Sequence, residues 1–277
     1  MSRATKAAGK GLLIDTTKCV GCGACYFACK QAHGLSTGDL RPLDDELSDQ
    51  AYTVVRKAKG RYVRRLCWHC ESPTCASVCP VKALEKSEEG PVVYHEDRCM
   101  GCRYCMQACP FGVPKYEWKK RTPHMRKCDL CVDRVRAGGP TACAQACPTG
   151  ATKFGARDEL IEEARGRIRA EPGKYHDHIY GLEDLGGSSV LMISDVPLET
   201  LGAYPSGAGR DPLPLLTLQV LHKIPYAVGV GGVLLGGICW ITRRRMQIEE
   251  EAARKREGKL HEGGGSVTPA EEGQRGS

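Results

Sequence analysis

Cysteines are the residues in this sequence whose type and spacing point most directly to chemistry. Sixteen of the 17 cysteines in the 277-residue chain fall into four groups of four. The first and third groups have the spacing C-x2-C-x2-C-x3-C, while the middle gap widens to four residues in the second group and to eleven in the fourth. Three groups end in Cys-Pro. The groups are Cys19, Cys22, Cys25 and Cys29; Cys67, Cys70, Cys75 and Cys79; Cys99, Cys102, Cys105 and Cys109; and Cys128, Cys131, Cys143 and Cys147.

This spacing is typical of cubane iron–sulfur clusters. Short gaps let one loop supply three thiolates to a [4Fe–4S] cluster, while the cysteine before proline lies past the loop and ligates the other cluster of a pair. Proline after that cysteine fixes the direction of the chain. Gly21, Gly23 and Gly101 lie inside these loops, where we expect the backbone to approach a cluster closely. The sequence therefore predicts four [4Fe–4S] clusters.

Two other uses of the cysteines have to be weighed. Eight disulfides would also consume sixteen cysteines, but C-x2-C pairs are too close together to bridge distant strands. Four structural zinc sites are the second alternative, including a zinc protein that binds nucleic acid. Zinc typically uses two separated C-x2-C pairs, which three cysteines within seven residues fit poorly. Iron–sulfur binding is the favoured hypothesis, and a membrane-anchored structural zinc protein is the main rival.

The rest of the sequence has no recognisable catalytic constellation. The histidines at His33, His69, His95 and His124 are scattered without a nucleophile or carboxylate at a telling spacing, and we interpret them as surface or hydrogen-bonded side chains. His69, inside C-W-H-C, is the one expected to donate to a cluster sulfur. The net charge of +7 includes basic runs at residues 61–65 and 115–127, which we interpret as offsetting the charge of thiolate-ligated clusters rather than as facing an acidic partner; no nucleic-acid partner is expected.

Short apolar runs flank the cysteine groups and predict the secondary structure. We expect strands at residues 11–15, within 52–63, and at 91–94, 151–154 and 190–193, and a charged amphipathic helix over 157–169. The x3 gap at the end of each group fits the first turn of a short helix. The predicted fold class is α+β, with small strand–loop–helix units repeated four times.

A membrane helix is predicted near the carboxyl terminus. Residues 225–242 contain no charged side chain, and with the mixed stretch from Leu215 they are long enough to cross the hydrocarbon core. Gly232 and Gly236 have the spacing that lets helices approach closely, and Cys239 is interpreted as a small apolar residue. A buried core helix is the alternative. Three arginines at 243–245 end the stretch, and the positive-inside rule puts them in the cytoplasm and the cysteine-bearing body in the periplasm.

Neither terminal segment shows a further structural signal. Residues 1–18 lack the apolar run of a secretory signal peptide and a twin-arginine pair, so export of the body is expected to depend on a partner that carries the signal. The tail after Arg245 is rich in Glu, Lys and Arg and then in Gly, and we expect disorder near its end.

The order of the four groups, with the long gap inside the fourth, resembles the four-cluster iron–sulfur subunits of molybdopterin oxidoreductases and membrane hydrogenases. The stretches Cys99–Pro114 and Lys127–Cys131 carry this resemblance most clearly, and it is strong over about residues 11–154. The segments Tyr180–Leu191 and Val196–Gly202, followed by one membrane helix, extend it. They are similar to the beta subunit of formate dehydrogenase-N and to the iron–sulfur subunit of the hydrogenase-2 type.

The resemblance implies a pairing of groups that spacing alone does not give. The first group interlocks with the fourth, and the second with the third, as in two interleaved bacterial ferredoxins. The implied ligand sets are Cys19, Cys22, Cys25 and Cys147 (set A); Cys29, Cys128, Cys131 and Cys143 (set B); Cys67, Cys70, Cys75 and Cys109 (set C); and Cys79, Cys99, Cys102 and Cys105 (set D).

These predictions define four regions and a function. We expect a four-cluster body at 11–156, a capping and linker segment at 157–212, a transmembrane helix at 213–243 and a cytoplasmic tail at 244–277. The resemblance implies electron transfer between a large molybdopterin or nickel–iron catalytic subunit and a membrane cytochrome b or quinone-reactive subunit. Subunits of nitrite, polysulfide or tetrathionate reductases remain alternatives, as does a free polyferredoxin. The sequence leaves open the substrate, the direction of flow and the cluster potentials.

Overall fold

A three-stranded sheet joins the two ends of the cysteine-bearing region. The computed structural model describes residues 9–36 and 42–262, and divides the chain into one unit up to Leu218 and another from Gln219. In the first unit the central strand β1 is Lys10–Asp15, whose apolar residues are fully buried. It pairs antiparallel with β8 (Thr152–Ala156) and parallel with β9 (Val190–Ile193). The strand from the predicted capping segment therefore belongs to the same sheet as the first strand.

Three two-stranded hairpins complete the sheet structure. Their strands are β2 (Val54–Ala58) with β3 (Arg61–Arg65), β4 (Leu84–Lys86) with β5 (Val92–Tyr94), and β6 (Lys115–Tyr116) with β7 (Met125–Arg126). The strand predictions at 11–15, 91–94, 151–154 and 190–193 are confirmed to within a residue or two. The run at 52–63 is instead a hairpin, because Lys59 and Gly60 both adopt positive φ angles and reverse the chain.

Each cysteine group places its third cysteine at the second residue of a short helix. The helices of the first unit are α1 (Ala24–Ala32), α2 (Thr74–Ser77), α3 (Tyr104–Ala108), α4 (Val132–Arg136), α5 (Ala142–Gln145) and α6 (Arg157–Ala170). Cys25, Cys75, Cys105 and Cys143 are the second residues of α1, α2, α3 and α5. Each of these cysteines therefore lies in the first turn, as the spacing predicts.

The predicted amphipathic helix at 157–169 is confirmed as α6, which packs its buried face on the sheet. Leu160, Ile161 and Ala164 contact a cluster of buried residues that includes Leu13 of β1 and Leu191 of β9. Asp15, at the end of β1, is fully buried and holds this layer in place. Its carboxylate accepts hydrogen bonds from Arg167 Nη1 at 2.8 Å and from the Tyr175 hydroxyl at 3.0 Å.

Aromatic rings join the second cysteine group to the segment after α6. The Trp68 ring stacks on Phe111 with 5.2 Å between centroids, and Tyr204 meets both rings edge-on at 5.0 and 5.4 Å. Aromatic contacts of this kind add roughly 0.5–1.5 kcal/mol per pair beyond the area buried. The segment at 157–212 is thus packed into the core of the first unit.

Gly11 is required where β1 passes β9, and it provides a stability prediction. A Cβ at this position would lie 2.2 Å from the Ser189 carbonyl oxygen, so Gly11→Ala forces the two strands apart. We expect a loss of about 1–3 kcal/mol in the free energy of unfolding, measured by anaerobic denaturant titration. Gly166→Ala is the matched control, because its Cβ meets open space within α6 and the exchange is neutral or stabilising. Equal stability of Gly11→Ala and the wild type would contradict the strand packing described.

The second unit is mainly helical. Helix α7 (Leu213–Leu221) begins in the first unit, and α8 (Ile224–Glu262) follows a break at His222 and Lys223. The stretch Leu213–Arg256 contains an apolar segment, with a mean hydropathy of 1.8, that is long enough to be a candidate membrane span, and its apolar side chains are exposed. Helix α8 continues past the predicted boundary at 243, because alanines and a Glu249–Glu251 run followed by Arg254 and Lys255 favour helix. The predicted disorder near the end of the tail concerns residues 263–277, outside those described.

Candidate metal centres

All seventeen cysteines lie within the described residues, and all are free thiols. The disulfide alternative therefore does not describe this fold. The sixteen grouped cysteines instead lie near one another in four combinations, sets A to D. The seventeenth cysteine, Cys239, is exposed on α8.

Set A joins the first loop to the end of the fourth group. Burial raises the pKa of the Cys19 thiol, and the nearby charges of Cys147 and Cys22 raise it further. Burial likewise raises the pKa of Cys25 to about 11, with added contributions from Cys143, Cys19 and Cys147. The structure thus brings together all four cysteines that the resemblance assigns to this set.

Set B surrounds a small cavity in the middle of the body. The space is lined by Cys29, Cys128, Cys131 and Cys143, together with Leu12, His33, Thr53, Arg64, Leu130 and Thr141. All four cysteines are buried. Cys29 comes from α1 and Cys143 from α5, and these two helices pack against each other. Four converging sulfurs around one enclosed space fit a metal cluster.

Sets C and D involve the second and third groups. Burial raises the pKa of Cys75 to about 12, with further contributions from Cys67, Cys109 and Cys105. The charges of Cys67, Cys109 and Cys75 act in turn on Cys70, which completes set C. In set D the charges of Cys99 and Cys102 act on Cys105. The remaining residue, Cys79, follows α2, which packs against α3.

Each set neighbours the next in the order A, B, C, D, and this succession of neighbouring sets is called the row. Cys25 of set A is close to Cys143 of set B, Cys128 of set B is close to Cys67 of set C, and Cys75 of set C is close to Cys105 of set D. Exposed cysteines occur at the two ends of the row, Cys22 in set A and Cys102 in set D.

The protonation chemistry of these sites fits a bound metal. Burial holds the pKa of Cys128 well above its ordinary value and raises that of Cys131 to about 11. Neutral thiols so placed are poor nucleophiles, whereas coordination to a cation deprotonates a thiol outright. Backbone N–H groups also donate to sulfur, from Ala83 to Cys79 at 3.2 Å and from Thr152 to Cys147 at 3.4 Å. Such bonds favour the thiolate form and are among the contacts that set cluster potentials.

Two of the three loop glycines lie where other side chains approach the backbone closely. A Cβ on Gly21 would clash with the Tyr62 ring and one on Gly23 with Pro42. The predicted close approach of a cluster stays a prediction for all three glycines, including Gly101. The φ of Gly101 is +74°, so the left-handed backbone is what favours glycine. Arg103 adopts the same conformation, with φ +65°, at the position equivalent to Gly23 in the first group. The C-x2-C turn therefore needs a positive φ at these positions.

Three of the four histidines named in the sequence analysis contact a carboxylate. His33 Nε2 lies 2.9 Å from Asp129 Oδ1, His95 Nε2 lies 2.7 Å from Glu85, and His124 lies 3.4 Å from Glu96. The hydrogen bond to Asp129 is the largest cause that raises the pKa of His33 to about 11. His33, Asp129 and Cys131 also lie within 4.8 Å of one another, next to set B. The interpretation of these histidines as hydrogen-bonded side chains is confirmed.

His69 differs from the other three because it is fully buried. Its Nδ1 accepts a hydrogen bond from the Val92 N–H at 2.9 Å, so the ring proton lies on Nε2. That atom has no partner among the described residues. The predicted bond from His69 to a cluster sulfur remains a prediction.

Sequence reasoning missed the burial of two cations inside the basic runs. Arg64 and Lys127 lie inside the basic runs that we interpreted as a whole, yet each is almost completely buried. Lys127 donates to the Cys128 carbonyl at 3.0 Å, and Arg64 lines the cavity of set B. The sequence did contain a signal for their burial, because each of the two residues lies in a short segment just before a cysteine group.

Two family models match the sequence over the regions just described. A 4Fe-4S dicluster domain matches residues 58–157, and a 4Fe-4S binding domain matches residues 10–31. Together these regions contain all sixteen grouped cysteines. The matches support [4Fe–4S] clusters rather than zinc.

Curated relatives share most of this region. Hydrogenase-2 operon protein HybA of Escherichia coli O157:H7 is 35% identical over 237 residues, covering 69% of this chain and 71% of the relative. The nitrate-inducible formate dehydrogenase iron-sulfur subunit of E. coli K12 is 34% identical over 65% of this chain and 66% of the relative. The B subunit of the anaerobic dimethyl sulfoxide reductase of E. coli K12 is 40% identical over 54% of this chain and 75% of the relative.

The fold and the cysteine sets define a ferredoxin-type protein that binds [4Fe–4S] clusters. The protein belongs to the family of iron–sulfur electron-transfer subunits of oxidoreductase complexes. The expectation that it supplies electron transfer rather than a catalytic site is confirmed at the level of the family.

Proposed function

We propose that the protein carries four [4Fe–4S] clusters and relays electrons between a catalytic subunit and a membrane subunit. The observation that supports this most directly is the row of four cysteine sets with exposed cysteines at both ends. Such clusters supply one-electron redox chemistry when bound. The protein positions the sets, buries all four cysteines of set B away from water and leaves one exposed cysteine in each end set.

The proposed ligands are the sixteen grouped cysteines in sets A to D. The assignment of Cys79 to set D depends more on the resemblance than any other assignment does. The described contacts near Cys79 are a hydrogen bond from the Ala83 N–H to its sulfur and the packing of α2 on α3. The division into a cluster body at 11–156, a capping segment at 157–212, a membrane helix from 213 and a cytoplasmic tail remains a proposal. Pairing of β1 with β9 supports treating the first two regions as one folded body.

The proposed partners are a large catalytic subunit, either nickel–iron or molybdopterin, and a membrane cytochrome b or quinone-reactive subunit. The similarity to a hydrogenase-2 operon protein and to subunits of formate dehydrogenase and dimethyl sulfoxide reductase supports a complex of this kind. The protein would not bind the substrate itself.

Copurification tests the proposed partners. A tag on the protein, with purification from detergent-solubilised membranes, is expected to recover a large subunit that contains nickel or molybdenum and a membrane subunit that contains haem b. Metal analysis distinguishes the hydrogenase type from the molybdopterin type. A variant truncated after Pro212 lacks the candidate span and is expected in the soluble fraction. Recovery of the full-length protein alone under mild conditions would favour a free polyferredoxin instead.

The proposed location is the bacterial cytoplasmic membrane, crossed once, with the body in the periplasm and the C-terminus in the cytoplasm. Arg243, Arg244 and Arg245 at the end of the apolar stretch support this orientation. External protease added to spheroplasts is expected to digest the body. Complete protection of the body until the membrane is permeabilised would place it in the cytoplasm and overturn the orientation.

A further inference from the structure

Arg64 is a buried cation in the interior of the cluster body. It lies in β3 and is 3% exposed. Its Nη1 donates to the Thr152 hydroxyl at 2.8 Å and its Nε to the Thr53 hydroxyl at 3.2 Å. Both acceptors are neutral, and no carboxylate within residues 9–36 and 42–262 forms an ion pair with this guanidinium. Burying an unpaired charge is costly, so the charge needs a partner that these contacts do not supply.

The surroundings of Arg64 indicate where that partner lies. The guanidinium lines the cavity of set B, and its Nη2 has no hydrogen-bond partner in the described part of the chain. The Cys143 sulfur of set B lies beside it, and Cys128 of the same set is also close enough for its charge to act on the guanidinium. The charge of Arg64 also acts on Cys19 and Cys25 of set A, where it opposes the rise in their pKa. The side chain therefore lies between two adjacent cysteine sets.

We propose that Arg64 is the internal counter-ion shared by the clusters of sets A and B, and that its charge raises the reduction potentials of both. Reduction adds one negative charge to a cluster, so a fixed positive charge nearby stabilises the reduced form. Arginine suits this position because its guanidinium stays protonated even when buried. The low-dielectric surroundings strengthen the effect, since little water screens the charge. Arg64 thus acts on two clusters from one site.

This inference rests on the proposed clusters at sets A and B. It goes beyond them, because neither the cysteine spacing nor the pairing of the groups says how the potentials differ along the row. Sets C and D lie further along, where Lys86 is near Cys70 and Cys67, and Lys127 is near Cys75. Removal of the Arg64 charge is therefore expected to lower the reduction potentials of the clusters at sets A and B and to leave those at sets C and D unchanged.

The test compares Arg64→Gln, which removes the charge but keeps a hydrogen-bond donor, with Arg64→Lys, which keeps the charge. The purified full-length protein is titrated anaerobically and followed by electron paramagnetic resonance, with iron and sulfide measured on every sample. In Arg64→Gln two of the four midpoint potentials are expected to fall, each by at least a tenfold change in the reduction equilibrium, which is 59 mV for a one-electron couple. In Arg64→Lys they stay near the wild-type values. Arg56→Gln is the matched control, because Arg56, on the neighbouring strand β2, forms an exposed ion pair with Glu46.

Each outcome decides the question. If Arg64→Gln loses iron while Arg64→Lys retains it, the charge is needed to assemble the clusters, which supports the counter-ion role. If Arg64→Gln keeps all four clusters with unchanged potentials, or if all four potentials shift alike, the proposal is wrong although the clusters themselves stand. Loss of iron from both variants would mean that the shape of arginine matters and not its charge. A wild-type protein without four clusters would instead overturn the proposed function.

Discussion

Replacement of Cys143 by alanine is expected to remove at least one of the four clusters, lowering the iron content by at least about four from about sixteen per chain. Cys143 is buried on α5 and lines the set B cavity, where no other free cysteine is available as a substitute ligand within the described residues. The loss should extend beyond one site, because Cys143 also lies in the main core cluster with Leu12 and Leu130. Iron and sulfide analysis, with the visible absorbance of the protein, measures the effect.

The seventeenth cysteine gives the matched control. Cys239→Ala lies on α8, exposed and outside every cysteine set, and is expected to leave the iron content unchanged. Cys22→Ala, at the exposed end of set A, is expected to lose iron while leaving the buried middle of the body folded. Unchanged iron in Cys143→Ala would show that set B does not hold a cluster.

Asp15→Ala is expected to cost roughly 3–5 kcal/mol in the free energy of unfolding, the effect of breaking a buried ion pair. The carboxylate is fully buried and joins β1 to α6 through Arg167, to the segment after α6 through Tyr175, and to Thr17 through bonds of 2.6 and 3.0 Å. Its removal leaves the Arg167 guanidinium, itself largely buried, without one of its two carboxylate partners. Anaerobic denaturant titration followed by visible absorbance measures the change.

A surface pair distinguishes this effect from a general loss of charge. Glu162→Ala removes an exposed partner of Arg165 on α6 and is expected to cost less than about 1 kcal/mol. The double variant Asp15→Asn with Arg167→Met should recover part of the loss, since it removes both buried charges. Similar stabilities for Asp15→Ala and Glu162→Ala would contradict a structural role for the buried pair.

The cysteine spacing predicted the local structure around the sites well. Each C-x2-C turn and the helix that begins one residue before the third cysteine follow from short-range geometry, so Cys25 and Cys143 occupy equivalent places despite different gaps. Apolar runs likewise predicted β1 and β9. Their parallel pairing was not predictable, because an apolar run indicates a strand without indicating a partner so distant in the sequence.

The positions of individual charges were the part that the sequence did not reveal. Arg64 and Arg65 are adjacent and chemically alike, yet only Arg64 is almost fully buried, because its guanidinium donates to two interior threonine hydroxyls beside the set B cavity. The end of α8 was missed for another reason. Prediction from hydropathy stops at Arg243, whereas helix propensity and side-chain pairs four residues apart continue the helix beyond the apolar stretch.

Iron, acid-labile sulfide and zinc content of the anaerobically purified, detergent-solubilised protein test the central claim most directly. Four [4Fe–4S] clusters predict about sixteen iron and sixteen sulfide per chain, with zinc absent. Half that amount of iron would reduce the row to two clusters and break the proposed path between the two ends of the body. About four zinc without sulfide would contradict electron transfer altogether and leave a zinc scaffold.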